Sequence, residues 1–227
     1  MKKLLFYIPL MFCHFLLEAQ SGSNPNNLMN QNTMVLETFK KSIKTIEGTP
    51  YVEDVFTSAR ISGFSDLQLM KYNAYSDEVE VFIGQNKSQY LKKEVGVTVT
   101  LNNKEKTVYQ CHLYKEKNAT PSMGYFNYLG PLGNNGRSIF SKNTIKLDEG
   151  KVASTAYVKA KPAKFKSLSK SFYYSEELGG VLAYIPSVKR NFIAVFNKKD
   201  MKSFLKDEKI DLDMLEDIIK ALDFYFK

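Results

Sequence analysis

The chain has 227 residues, of which 44% are hydrophobic, 13% aromatic and 25% charged, and its formal net charge is +8. This hydrophobic fraction is too high for an intrinsically disordered protein, and beyond the N-terminus no apolar run is long enough to span a bilayer. The length fits one β-rich domain, since all-β domains commonly reach roughly 200–250 residues.

The N-terminus has the pattern of a secretory signal peptide. Two lysines precede an apolar run over residues 4–17, and Ala19 supplies a small residue at the expected cleavage point. The run is too short to remain as a membrane anchor, and polar residues follow it. A lipoprotein signal at Cys13 is the weaker alternative, because the bulky Phe12 precedes that cysteine. We predict cleavage after Ala19, no transmembrane segment in the mature chain and a periplasmic location, with the cell surface or secretion as the alternative.

Removal of the signal peptide changes the residues that remain for chemistry. Cleavage after residue 19 leaves 208 of the 227 residues and lowers the net charge from +8 to +7, because two lysines and one glutamate are lost. Only Cys111 and His112 remain of the two cysteines and two histidines, so no intramolecular disulfide can form. Neighbouring strand residues point to opposite faces. We therefore predict Cys111 as a core residue and His112 as a surface residue, not a catalytic pair.

The mature chain has no recognisable catalytic or cofactor motif. One cysteine and one histidine cannot supply the usual ligand sets of a zinc site, and there is no G-x-S-x-G elbow, Walker loop, G-x-G-x-x-G or EF-hand spacing. We predict a non-enzymatic protein without cofactor or metal. The acidic pairs Glu78/Glu80 and Glu176/Glu177 leave a carboxylate-dependent hydrolase as a less favoured alternative, since glycosidases need two carboxylates at a set separation.

The predicted elements begin after a polar lead-in at residues 20–33, which we interpret as flexible. Residues 35–46 have apolar side chains at helical spacing, although β-forming residues at 33–39 leave a strand as the alternative. From residue 51 to residue 196 the hydrophobic pattern has a period of two, and turn residues separate short segments. The strand-like segments lie at 67–72, 79–83, 95–101, 109–113, 123–129, 138–147, 152–158, 171–174, 181–185 and 192–196.

The short connections predict an antiparallel sheet, because a parallel crossover needs roughly a dozen residues. Near the C-terminus the spacing becomes helical, with a short helix around Met201 and Leu205 and a longer one after Asp211 that has a single apolar stripe. We predict a mainly β (α+β) fold in one domain over residues 34–227. It consists of an antiparallel β-meander curled into a half-barrel or open barrel, with the amphipathic helices of the tail at 197–227 packed on it.

Most of the positive charge lies in residues 142–170. This segment has eight lysines and two acidic residues, a local net charge of +6. A positive surface favours lipid head groups, acidic glycans or an acidic protein, whereas export and the presence of only three arginines argue against nucleic acid. A solvated lysine-rich face is the simpler interpretation. The candidate ligand-binding residues are Lys159, Lys161, Lys164, Lys166 and Lys170.

Three segments carry a resemblance to a known group of proteins. Residues 48–51, 71–80 and 156–165, together with the lysine-rich C-terminal helices, resemble a family of small exported β-rich proteins of unknown function from Gram-negative bacteria. Within 71–80, Asn73 and Asp77 supply turn chemistry between two strands, which predicts a hairpin. The resemblance implies a signal peptide, a β-meander and a helical tail, and it implies no activity.

The sequence is therefore most typical of a binding module of the cell envelope. The thirty Phe and Tyr side chains would line an apolar ligand cavity in the concave sheet, or would pack an ordinary β core. We expect a binding module for an apolar or anionic ligand such as lipid. The alternative is a protein-interaction or structural subunit of an envelope assembly, tethered through residues 20–33.

Overall fold

The computed structural model describes residues 35–37, 46–116, 120–133, 136–151, 160–177 and 179–227. The predicted signal peptide, the polar lead-in at 20–33, the predicted strand at 152–158 and Lys159 lie outside the described residues. Residues 35–37 form a strand, which is the alternative for the 35–46 segment, and 38–45 are not described.

The described part of the chain contains thirteen strands followed by three helices. The strands are β1 (Val35–Glu37), β2 (Thr57–Ile61), β3 (Gln68–Asn73), β4 (Glu78–Gly84), β5 (Lys87–Leu91), β6 (Thr98–Leu101), β7 (Val108–Lys115), β8 (Ser122–Leu132), β9 (Arg137–Thr144), β10 (Leu147–Asp148), β11 (Lys164–Phe165), β12 (Ser169–Ser175) and β13 (Leu182–Ile185). The helices are α1 (Lys189–Val195), α2 (Met201–Asp207) and α3 (Leu215–Phe226).

Eleven of these strands form one sheet in the order β1-β5-β4-β3-β2-β6-β7-β13-β12-β9-β8, and β10 and β11 form a separate two-stranded ribbon. The mainly β fold with C-terminal helices is confirmed, and the eleven-stranded sheet as a whole is not a closed barrel. One pairing differs from a purely antiparallel meander. Strand β13 runs parallel to β7, with Leu182 beside Tyr114, because four successive antiparallel pairings lead from β7 through β8, β9 and β12 to β13.

Strand β7 joins two parts of the sheet. Its first residues pair with β6 and its last residues with β13, while β8 pairs along its other edge. The first part, β2 to β7, curls around a set of buried side chains that we call the half-barrel core, which includes Met70, Val79 and Val99. In the second part, the pairings β7–β8–β9–β12–β13–β7 follow one another in a ring. We call these strands the five-strand ring.

The five-strand ring has its own core, which explains a wrong prediction. Phe126, Phe140 and Tyr173 pack together there as an aromatic core. Cys111 is confirmed as a buried core residue with a free thiol, but the prediction of His112 as a surface residue is wrong. His112 is only 8% exposed, and its ring lies 4.8 Å from that of Phe140 between centroids. The ring covers the second face of β7, and strand alternation alone does not show this.

The three helices cover the outer face of the five-strand ring. Ile139, Tyr174 and Ile185 of the sheet pack against buried residues of α1, α2 and α3 in a helix-side core. The predicted strand at 192–196 is wrong, because Phe192 and Phe196 lie one helical turn apart and are both buried there. None of the described helices combines the length and apolar composition that crossing a membrane requires.

The buried tyrosines predict alkaline unfolding. Burial raises the pKa of Tyr109 and of Tyr174 to about 12 and that of Tyr72 well above its ordinary value of 10.0. Unfolded tyrosines ionise near 10.0, so the native state retains more protons and the free energy of unfolding falls as the pH rises from about 10 towards 12. In an alkaline titration, tyrosinate absorbance and loss of the circular dichroism signal should rise together. Ionisation of most tyrosines near pH 10 in a still folded protein would contradict this.

Candidate functional site

The turn between β3 and β4 presents one carboxylate, Asp77, to several strands. The Asn73 side-chain oxygen accepts hydrogen bonds from the backbone N–H groups of Tyr75, at 3.1 Å, and Ser76, at 3.0 Å. Asp77 follows in the left-handed region with φ 57°, which aspartate tolerates better than most residues. Asn73 pairs with Glu78 across the strands, and the predicted hairpin within 71–80 is confirmed.

Asp77 uses both carboxylate oxygens to connect the half-barrel to the five-strand ring. Its Oδ1 accepts hydrogen bonds from the Tyr72 hydroxyl at 2.7 Å and the Tyr125 backbone N–H at 3.1 Å. Its Oδ2 accepts from the ammonium groups of Lys142 at 2.7 Å and Lys93 at 3.1 Å. The four donors come from β3, β8, β9 and the segment after β5. We call this group the Asp77 joint.

Lys142 enters the joint from inside the five-strand ring. Its ammonium lies 4.8 Å and 4.7 Å from the ring centroids of Tyr114 and Phe126, an arrangement that favours a cation. Burial lowers the pKa of Lys142, and the charge of Asp77 opposes this effect. A Cβ atom at Gly124 would lie 2.5 Å from the Lys142 nitrogen and 2.8 Å from Asp77 Oδ2. Glycine therefore leaves the space that the ion pair occupies.

The carboxylates considered for hydrolase chemistry are placed differently from one another. Glu80 is buried and accepts hydrogen bonds from the hydroxyls of Tyr51 and Ser88, with the Lys71 ammonium 3.9 Å away. These protein donors favour a structural role for Glu80. Glu176 and Glu177 are exposed after β12.

The predicted ligand-binding lysines divide between two places. Lys161, Lys164 and Lys166 are exposed on or beside the β10–β11 ribbon, where Lys161 forms an ion pair with Asp148 at 2.7 Å. Lys170 lies on β12 and pairs with Asn143 of β9. Lys159 is outside the described residues.

A groove of about 720 Å³ lies between α1 and α2, and we call it the basic groove. Its volume is within the range of about 300–1,000 Å³ that is typical of ligand pockets. Leu205 is buried at its floor, and Ile193 is half-buried beside it. The remaining lining residues are Lys189, Arg190, Lys202, Lys206 and Lys209.

The spacing of these residues produces the groove. Lys202, Leu205 and Lys206 lie on one face of α2, at relative positions 0, 3 and 4, and Lys209 follows at position 7. Among the described residues, the five cations of the groove form no ion pair, and α1 has no acidic residue. Hydrogen bonds from the Asp211 backbone N–H and the Lys220 ammonium lower the pKa of Asp217, and the charge of Lys189 adds to this effect at longer range. The groove therefore combines an apolar floor with a cationic rim.

Sequence reasoning missed the basic groove. The signal was the lysine spacing around Leu205, together with the adjacent Lys189 and Arg190. Because 192–196 was interpreted as a strand, this cationic pair was placed in a loop. The candidate ligand-binding residues were chosen from 142–170 because that segment contains more lysines.

Comparison of the chain with models of protein families, with curated proteins and with solved structures finds no match. The resemblance to exported proteins of Gram-negative bacteria stays a prediction.

The Gly124 position tests the Asp77 joint. In Gly124→Ala the new methyl group would contact the Lys142 ammonium and the Asp77 carboxylate, so we expect a loss of about 1–3 kcal/mol in the free energy of unfolding, as for other overpacked sites. Ser122→Ala, at an exposed position of the same strand, is the control and should change the value by less than about 0.5 kcal/mol. Urea denaturation measures both, and equal stabilities of the two variants would show that the space is not confined.

Proposed function

We propose that the protein is an exported, non-enzymatic binding module of the bacterial envelope that holds an anionic amphiphile, such as an anionic lipid, in the basic groove. Export and the periplasmic location rest on the N-terminal signal pattern of residues 1–19. The binding role is supported mainly by one observation: five cations surround the apolar floor, and none of them forms an ion pair with any residue that the structure describes.

The two parts of the groove suit the two parts of an amphiphile. The half-buried Ile193 side chain, above the buried Leu205, offers an apolar surface to an acyl chain. The ammonium and guanidinium groups on the rim offer charge-assisted hydrogen bonds to a phosphate or carboxylate head group. Basic residues near an anionic membrane surface contribute about 1 kcal/mol each. The rim is therefore sufficient to support salt-sensitive binding.

The inner face of the curved sheet is a less suitable place for such a ligand. The half-barrel core is filled by its own side chains, among them Tyr72, Val81 and Val99, each no more than 3% exposed. We therefore propose that the lipid binds in the basic groove between the helices and not in the concave sheet.

Charge reversal on α2 tests this proposal. The double variant Lys202→Glu/Lys206→Glu should bind vesicles containing anionic phosphatidylglycerol at least tenfold more weakly than the unmodified protein, because two attractive charges become repulsive. Co-sedimentation at two salt concentrations measures the affinity, and raised salt should weaken the binding of the unmodified protein.

The predicted lysines of the ribbon provide a matched control. Lys164→Glu/Lys166→Glu makes the same change in net charge at exposed positions away from the helices, and it should lower vesicle affinity less than threefold. Equal loss in both variants would mean that net charge alone drives binding, and unmodified protein that ignores anionic vesicles would refute the proposal. A third variant, Ile193→Ser, removes an apolar side chain of the groove and leaves its cations unchanged. It should therefore weaken binding to vesicles and leave the binding of inorganic phosphate unchanged.

A further inference from the structure

A second cavity, of about 170 Å³, lies where the half-barrel core meets the five-strand ring. We propose that this polar pocket is a binding site for a small molecule that donates hydrogen bonds, an amine or a polyol. Its volume is below the range of about 300–1,000 Å³ found for drug-sized ligands, so the occupant is compact. The residues that carry the proposal are Glu53, Glu105, Tyr109, Asn127, Asn143 and Lys170, all of which line the pocket.

Strand register places polar side chains together at this point. Tyr109 pairs with Asn127, and Asn127 pairs with Ser141, so these three residues form one row across β7, β8 and β9. Cross-strand partners share a face of the sheet. The next row brings Asn143 beside Lys170. A polar row on a face that elsewhere packs apolar side chains needs a hydrogen-bonding partner.

Two acceptors near this row have no partner within the described residues. The side-chain oxygens of Asn143 and Ser141 are both buried and unpaired. Of the two, Asn143 lines the pocket, and its amide oxygen can only accept. The Asn143 amide group hydrogen-bonds the Tyr109 phenol, which leaves the Asn143 oxygen to a donor from elsewhere. An unpaired buried acceptor is unfavourable, and an N–H or O–H group in the pocket would satisfy it. This selects a ligand with donors.

The charges at the rim select against an anion. Glu53 and Glu105 contribute two carboxylates, and Lys170 contributes one ammonium. Lys71 also lines the pocket, but its ammonium lies 3.7 Å from the centroid of the Tyr51 ring on another side of the strand. A neutral or cationic molecule therefore fits better than a carboxylate or phosphate. This pocket is separate from the basic groove, and the two proposals stand or fall independently.

The test uses the whole protein and three probes. Ethanolamine offers an ammonium and a hydroxyl, glycerol offers hydroxyls alone, and acetate is the anionic control. Nuclear magnetic resonance titration follows the side-chain amide signals of Asn127 and Asn143. We expect saturable shifts with ethanolamine, or with both ethanolamine and glycerol, and none with acetate. Shifts with ethanolamine alone identify an amine site, and shifts with both identify a site for hydroxyl donors as well.

Substitution of Asn143 tests whether the probes bind in this pocket. Asn143→Ala should weaken probe binding at least fivefold, whereas Asn102→Ala, at an exposed asparagine that does not line the pocket, should leave it within twofold. The absence of saturable shifts with either donor probe would mean that the cavity holds water only and would overturn the proposal. Binding of acetate as tight as that of ethanolamine would overturn it as well.

Discussion

The arrangement of the sheet depends on the contacts of one carboxylate, that of Asp77. It accepts hydrogen bonds from Tyr72 of the half-barrel, from Tyr125 and Lys142 of the five-strand ring, and from Lys93 between them. Removing one partner of a buried ion pair costs about 3–5 kcal/mol, because the other charge is left uncompensated. The joint therefore fixes the ring against the half-barrel. The outer face of the ring then carries the helices and, with them, the basic groove.

Local patterns predicted the parts of the fold that depend on local contacts. The period of two predicted most of the described strands, the turn chemistry of Asn73 and Asp77 predicted their hairpin, and the apolar stripe after Asp211 predicted the packing of α3. Long-range contacts decided the rest. The burial of His112 results from aromatic residues of later strands, and Phe192 and Phe196 suit either a strand or a helix until the helix-side core is known.

Charge counting predicted a basic candidate site within residues 142–170, whereas the basic groove lies at α1 and α2. A basic surface facing an anionic ligand was expected, but a net charge does not tell in which direction each lysine points. Lys142 turns inward to Asp77, and Lys161 pairs with Asp148. The five cations that line the basic groove form no ion pair within the described residues. The polar pocket escaped prediction for a related reason, since Asn127, Ser141 and Asn143 become neighbours only through the register of β8 and β9.

A double-mutant cycle between Asp77 and Lys142 measures how strongly this ion pair holds the five-strand ring to the half-barrel. The free energy of unfolding would be measured by urea denaturation for Asp77→Asn, Lys142→Met and the combination. If the ion pair holds the two parts of the sheet together, each single variant is strongly destabilised, because it leaves the other buried charge without this partner. The double variant removes both charges and should lose at least about 1 kcal/mol less than the sum of the two single losses. Effects that add to within about 0.5 kcal/mol would contradict the account.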